Sequence, residues 1–128
     1  MVAANLAPLI IADTSVWIDH FRRGNPKLVE LLAGLRIATH EFVIGELILG
    51  TLPRLSPEAD ALRTLPIAPT LDHDACVQFV ETHALIGKGL GWVDVHILSA
   101  TASTKAKLWT LDRAVRRVAE SLDISDVP

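Results

Sequence analysis

"LIIADTSVWIDHF", residues Leu9–Phe21, opens as an apolar run of strand type and stops at a carboxylate, Asp13, with two hydroxyls, Thr14 and Ser15, directly behind it. Trp17 and Phe21 then recur four residues apart, the spacing of one helix face. The stretch therefore reads strand, acid, helix. An acid in that place is either the N-cap of the following helix or a ligand-holding group at the edge of a sheet, since ligands of open α/β sheets bind at the carboxyl ends of the strands.

The same alternation continues along the chain. Asn25 followed by Pro26 is a cap with proline at the first helical position, and Gly34 closes that helix. Leu35–Thr39 reads as a second strand, and "HEFVIGELILG" (His40–Gly50) as a helix apolar on every side and therefore buried. Ser56 and Pro57 open a further short helix, "LPIAP" gives a brief edge strand, and a long helix is expected from Asp72 to about Ile86. The glycines of "GKGLGW" break the chain before a second very apolar helix, Val93 to about Thr104. "AKLWTLD" is a strand that ends, like the first, on a carboxylate, Asp112. Val115, Val118, Ala119 and Leu122 then recur at helical spacing with Arg113, Arg116, Arg117 and Glu120 opposite, and a last short strand is expected near Ile124. Strands alternating with helices imply parallel pairing through right-handed crossovers, hence an α/β fold with a small central parallel sheet of about four or five strands and helices on both faces.

With 128 residues the chain suits a single domain, 1–128, and 50% hydrophobic with 21% charged residues places it far from disordered sequences. A positive mean hydropathy in so small a chain suggests more apolar surface than one core hides, and so a protein partner. The single cysteine, Cys76, rules out an internal disulfide framework, and its helical neighbours Phe79 and Val80 make it a core residue. The apolar stretch Leu6–Ala12 contains Pro8, lacks a preceding Lys or Arg and ends at an acid, so no signal peptide or membrane span is expected, and the cytoplasm is the expected location.

Two further acids stand on apolar helices. Glu46 has Phe42, Val43, Leu49 and Gly50 as its helical neighbours, so a carboxylate is expected in the middle of an apolar face, where an unpaired charge costs several kcal/mol. A distant partner such as Arg36 or Arg54 is one solution; a cation held in common with other acids is another. Glu41 reads as an exposed first-turn acid. Asp94 lies in the first turn of "WVDVHILSATA", where a favourable helix-end charge is the alternative. Four carboxylates at one sheet edge repel one another unless a divalent cation neutralises them, and oxygen-only ligands select Mg²⁺ or Mn²⁺.

The order of Asp13 followed by "TS", Glu46 in "GEL", Asp94 in "GLGWVDVHILSA" and Asp112 in "TLD" resembles the PIN-domain family, and more closely the VapC toxins of bacterial toxin–antitoxin pairs. The resemblance implies a PIN-like fold and a metal-dependent endoribonuclease with Asp13, Glu46, Asp94 and Asp112 as metal-binding and catalytic acids. It also implies Ser15 and Thr110 as hydroxyls that orient ligands and water, and Mg²⁺ or Mn²⁺ as cofactor. Its expected partners are RNA, a VapB-like antitoxin, and a second copy of the chain in a homodimer or a toxin–antitoxin hetero-oligomer, with the dimer face around Leu47 to Leu62. Relatives often carry further acids near the third or fourth, where here His96 follows Asp94 and Arg113 follows Asp112.

Net charge is −3, yet setting aside the four acids leaves the remainder at +1, so the charge does not oppose RNA. Arg113, Arg116 and Arg117, and Arg22 with Arg23, are candidate phosphate contacts or simply solvated faces. "GKGLG" lacks the spacing of a phosphate-binding P-loop, and His20, His40, His73, His83 and His96 show no paired zinc spacing. A phosphatase of the haloacid-dehalogenase type wants an acid where Ser15 stands. The rival of another class is a PIN-like module without catalysis that binds RNA or protein.

Overall fold

A computed structural model describes residues 8–50 and 56–126. Residues 1–7 (the start of the Leu6–Ala12 stretch), 51–55 (with Arg54 and part of the expected dimer face) and 127–128 lie outside the described residues. In chain order the elements are β1 (Ile10–Ala12), α1 (Thr14–Arg23), α2 (Pro26–Ala33), β2 (Ile37–His40), α3 (Glu41–Gly50), α4 (Pro57–Arg63), β3 (Ile67–Ala68), α5 (His73–Thr82), α6 (Trp92–Thr104), β4 (Lys107–Trp109) and α7 (Arg113–Ser121).

The strands form one parallel sheet in the order β3-β2-β1-β4, with Ile10 opposite both Ile37 and Lys107 and Ala12 opposite Trp109. A parallel bridge between Leu108 and Ser125 continues it at the outer side of β4, near the expected last strand. β1, β2 and β3 advance in one direction across the sheet, whereas β4 returns to the other side of β1. Right-handed crossovers then put the helices before and after that reversal on opposite faces, and open a crevice between the carboxyl ends of β1 and β4. Asp13 and Asp112 stand at those two ends.

Local chemistry fixes the elements. Asp13, Asn25, Ser56, Asp72 and Asp112 each accept a backbone N–H of the helix they cap, and Pro26 and Pro57 occupy first helical positions. α2 is closed by Gly34, after which Leu35 takes a left-handed φ of 57° and Arg36 N–H returns to the Leu31 carbonyl. That C-terminal turn consumes Leu35 and Arg36, so β2 begins at Ile37, two residues later than the sequence suggests. The long helix expected to about Ile86 stops at Thr82 for a similar reason. Ala84 is left-handed and Leu85 N–H bonds the Val80 carbonyl, which turns the chain into the glycine loop early.

The two helices read as apolar all round differ. α6 buries an unbroken run from Val95 to Thr101 and packs against both β3 and β4. α3 buries only Val43, Ile44 and Leu47, while Gly45, Glu46 and Leu49 lie on its outer side, Leu49 at 88% exposure. The expectation of a helix buried on every side is therefore corrected for α3. The core gathers Ile10, Ile11, Val16, Leu28, Leu47, Leu62, Leu98 and Leu108 with Val115 and Ala119 of α7, and Cys76 is buried near it as expected. Among the described residues no helix is long and apolar enough to cross a membrane.

Leu108→Ala, which empties a fully buried site on β4, is expected to cost about 3 kcal/mol, and Leu49→Ala less than about 0.5 kcal/mol. Urea denaturation of the two variants beside the parent chain checks the contrast.

Candidate active site: a carboxylate cleft

The main-chain N–H of Asp13 donates to the Trp109 carbonyl at 3.1 Å, which ties the end of β1 to the end of β4. Ser15 makes the second tie. Its hydroxyl donates to Asp13 Oδ1 and accepts the Leu111 N–H at 2.9 Å, while the Thr110 hydroxyl, 3.5 Å from it, accepts the Asp112 N–H at 3.0 Å. Both hydroxyls singled out from the sequence thus sit where the two strand-end acids approach each other.

Asp13, Glu46, Asp94 and Asp112 all line one open cleft of about 250 Å³, together with Thr14, Ser15, Ile18 and Ile97. Four segments far apart in sequence supply them, from β1, α3, α6 and the turn after β4. Their burial is graded: Asp13 is 7% exposed, Asp94 half-buried, and Glu46 and Asp112 exposed. For Glu46 this is a correction. The outer side of α3 carries it, so it stands at the rim of the cleft with its charge in water and not inside an apolar face. Neither Arg36 nor any other described cation pairs with it; its Oε1 accepts the Thr14 hydroxyl at 2.6 Å. That contact across 32 residues was not legible in the sequence, where Thr14 offered only its place behind Asp13.

Each of the three aspartates is also a helix-end or turn acceptor. Asp13 Oδ1 takes the Ser15 N–H at 3.0 Å, and Asp112 Oδ1 takes the N–H groups of Ala114 and Val115. Asp94 Oδ2 takes the Gly91 N–H at 2.8 Å, which also fixes the end of the glycine loop. Burial pushes the Asp13 carboxyl up from its ordinary range, against the hydrogen bonds of Ser15 and Thr110 and the Val16 and Ser15 N–H groups. Asp94 is also pushed up, first by burial, opposed by the Gly91 N–H, and further by the charges of Asp112 and Glu46. The cleft is thus short of positive charge.

In donor type the lining fits a hard divalent ion, because every polar group in it is an oxygen and no Lys or Arg among the described residues bonds any of the four acids. The side chains are nonetheless not drawn into a coordination shell: among the described residues no group of three or more His, Cys, Asp and Glu is arranged to hold an ion. The histidines serve elsewhere. His96 is buried against Cys76 and Phe42, and His40 accepts the Phe42 N–H and packs by Thr70, which also donates to Glu41.

A parallel sheet with this order and a cleft of acids at its switch point is the architecture of a PIN domain. The PIN domain family model matches residues 10–121. Ribonuclease VapC32 of Mycobacterium tuberculosis, in strains CDC 1551 / Oshkosh and ATCC 25618 / H37Rv, is 38% identical over 109 residues, which cover 84% of this chain and 88% of that protein. In fold, the chain is similar to FitAcB from Neisseria gonorrhoeae (TM-score 0.60, 18% identity, 94% of this chain and 97% of that one). It is likewise similar to PAE2754 from Pyrobaculum aerophilum (TM-score 0.59, 14% identity, 90% and 86%). The chain belongs to the PIN domain family, among its VapC-type members.

The raised Asp13 carboxyl makes a prediction with a definite sign. The folded state holds this proton more tightly than the unfolded chain, so stability falls as pH rises from the unfolded value of 3.8 through the raised one, and the loss is complete above it. Asp13→Asn keeps a capping oxygen and removes the charge. In chelator at neutral pH the variant is expected to melt above the parent chain, with the gap closing as pH falls toward about 4. Thermal melts across that range decide it; a variant that melts lower at neutral pH contradicts the reading.

Proposed function

We propose that this protein is a metal-dependent endoribonuclease, the toxin of a VapBC-type toxin–antitoxin pair, that hydrolyses RNA phosphodiester bonds in the carboxylate cleft. One observation carries the reading: four acids from four separated segments of a VapC-type PIN chain line one crevice, with no cation among the described residues bonded to them. The name of the relative Ribonuclease VapC32 supports the substrate class. The oxygen lining suits Mg²⁺ or Mn²⁺. Such an ion, when bound, supplies a water of lowered pKa, polarises the phosphoryl oxygen and compensates the leaving oxygen.

The chain's own groups divide the remaining work. Asp13, Asp94 and Asp112 would hold the ion. Ser15 and Thr110 hold Asp13 and the turn before Asp112 in register, so the ligands from β1 and β4 keep their separation. Glu46, fixed through Oε1 by Thr14 and exposed at the rim, keeps its other oxygen to position the attacking water and take its proton. Asp94, anchored to the Gly91 N–H, has a raised carboxyl whose charged form a cation nearby would favour.

The partners follow from what the cleft and surface leave uncovered. An apolar groove of about 310 Å³ between α1, α2 and α4, lined by Trp17, Phe21, Leu32, Leu62 and Leu65, suits the apolar face of an antitoxin helix. A basic side chain sent from that segment into the cleft would pair with the acids and block ion and RNA together. This groove does not involve α3 or α6, whose apolar residues the core absorbs in large part. In the homodimer face expected around Leu47 to Leu62, both end residues are buried, and among the described residues of that stretch Leu49 is the large apolar side chain that is exposed. The cytoplasm, where RNA and antitoxin meet, is the site of action.

Asp94→Asn is expected to keep the fold and lose about 10²-fold or more in rate. Cleavage of single-stranded RNA should stop in chelator and leave 5′-phosphate ends, because a water and not a 2′-hydroxyl attacks. Activity in excess chelator, or 2′,3′-cyclic ends, contradicts the mechanism. For the partners, light scattering of the chain alone should give a dimer, and co-purification with the protein encoded beside it a silent hetero-oligomer. A monomer whose activity that neighbour leaves untouched contradicts both.

A further inference from the structure

Six of the described cations have a partner within the protein. Arg23, Lys27 and Arg63 pair with Asp19, Glu30 and Asp60, while Arg36, Arg116 and Lys107 donate to the carbonyls of Pro8, Thr110 and Asp123. Among the described residues Arg22, Lys88, Lys105, Arg113 and Arg117 have no such partner, and of these Lys88, Arg113 and Arg117 gather on one side of the molecule. Lys88 and Arg117 line a groove of about 450 Å³ between α7 and the loop that follows α5, with His83, Leu85, Val118 and Ser121 and no carboxylate. Arg113 lies one turn before Arg117 on the exposed side of α7.

Arg113 and Arg117 are like charges one turn apart on the exposed side of α7, which repel one another. That repulsion is relieved when an anion binds along the helix.

The groove is joined to the cleft by the glycine loop. Gly87 and Gly89 take φ of +77° and +79°, a Cβ at Gly89 would meet Ala114 Cβ of α7 at 3.5 Å, and the loop ends where Gly91 N–H is held by Asp94. From Asp112, at the cleft, to Arg117 the helix advances about 7.5 Å. A chain of phosphates leaving the cleft along α7 therefore meets Arg113 and then the groove.

We propose that the groove of Lys88, Arg117, His83 and Ser121 is a phosphate subsite that holds the RNA backbone beyond the scissile bond. It rests on the endoribonuclease reading above. Its neutral floor of Leu85 and Val118 makes no demand on the base, so the subsite adds affinity and direction without sequence preference.

Steady-state cleavage of a single-stranded RNA oligonucleotide, measured across a salt series with Mg²⁺, tests it with two double variants of equal charge loss. The groove variant is Lys88→Ala with Arg117→Ala. The control is Lys27→Ala with Lys105→Ala, one residue on α2 and one at the opposite edge of the sheet. The groove variant should raise KM about tenfold, hold kcat within about twofold and flatten the dependence of log KM on log salt by about 1.4, or 0.7 for each lost phosphate. The control should match the parent chain. Equal KM shifts in both variants mean a diffuse field and overturn the proposal, as does a groove variant that matches the parent. A parent chain that cleaves no RNA overturns the endoribonuclease reading and the subsite with it, an outcome distinct from the other two.

Discussion

Everything at the cleft depends on β1 and β4 lying side by side with their ends clamped. The Asp13 N–H bonds the Trp109 carbonyl, and the Ser15 hydroxyl bonds the Leu111 N–H across 96 residues of sequence. A parallel sheet cannot join these strands by a tight turn, so the chain must wind through the helices and remaining strands before β4 can return to β1. That return reverses the strand order and leaves the crevice. The two acids nearest it are held by the caps that begin α1 and α7, so the same hydrogen bonds define the helices and aim the site.

Charge is distributed against local comfort in a consistent way. Asp13 is buried at a strand end with only hydroxyls and N–H groups around it, and Asp94 faces two further carboxylates. A short distance along α7 the opposite excess occurs, with Arg113 and Arg117 unpaired by any described acid. Acids that lack a cation and cations that lack an anion, on adjacent surfaces, are complementary to an ion and a phosphate chain.

Much of this was legible in the sequence because the signals are local. Asn25-Pro26, Ser56-Pro57 and Asp72 announce their helices through side chains that reach only two or three residues, and the apolar run before Asp13 announces a buried strand. What misled was any inference that needed the third dimension. "HEFVIGELILG" has no polar face to show which side meets water, so Glu46 was expected inside an apolar face, when only Val43, Ile44 and Leu47 point to the core. Left-handed turns at Leu35 and Ala84, neither of them glycine, shifted the start of β2 and the end of α5 with no residue type to mark them. The Thr14–Glu46 bond and the meeting of Lys88 with Arg117 depend on tertiary packing that no spacing encodes.

The central claim is that Asp13, Asp94 and Asp112 share one divalent ion in the cleft, with Glu46 at its rim. Crystals grown with Mn²⁺ and measured at the manganese edge locate that ion without recourse to activity. Anomalous density inside the cleft, within bonding reach of Asp13, Asp94 and Asp112 and lost in Asp94→Asn crystals, is the predicted result. A cleft empty of manganese at millimolar Mn²⁺, or manganese bound elsewhere on the molecule, would contradict it.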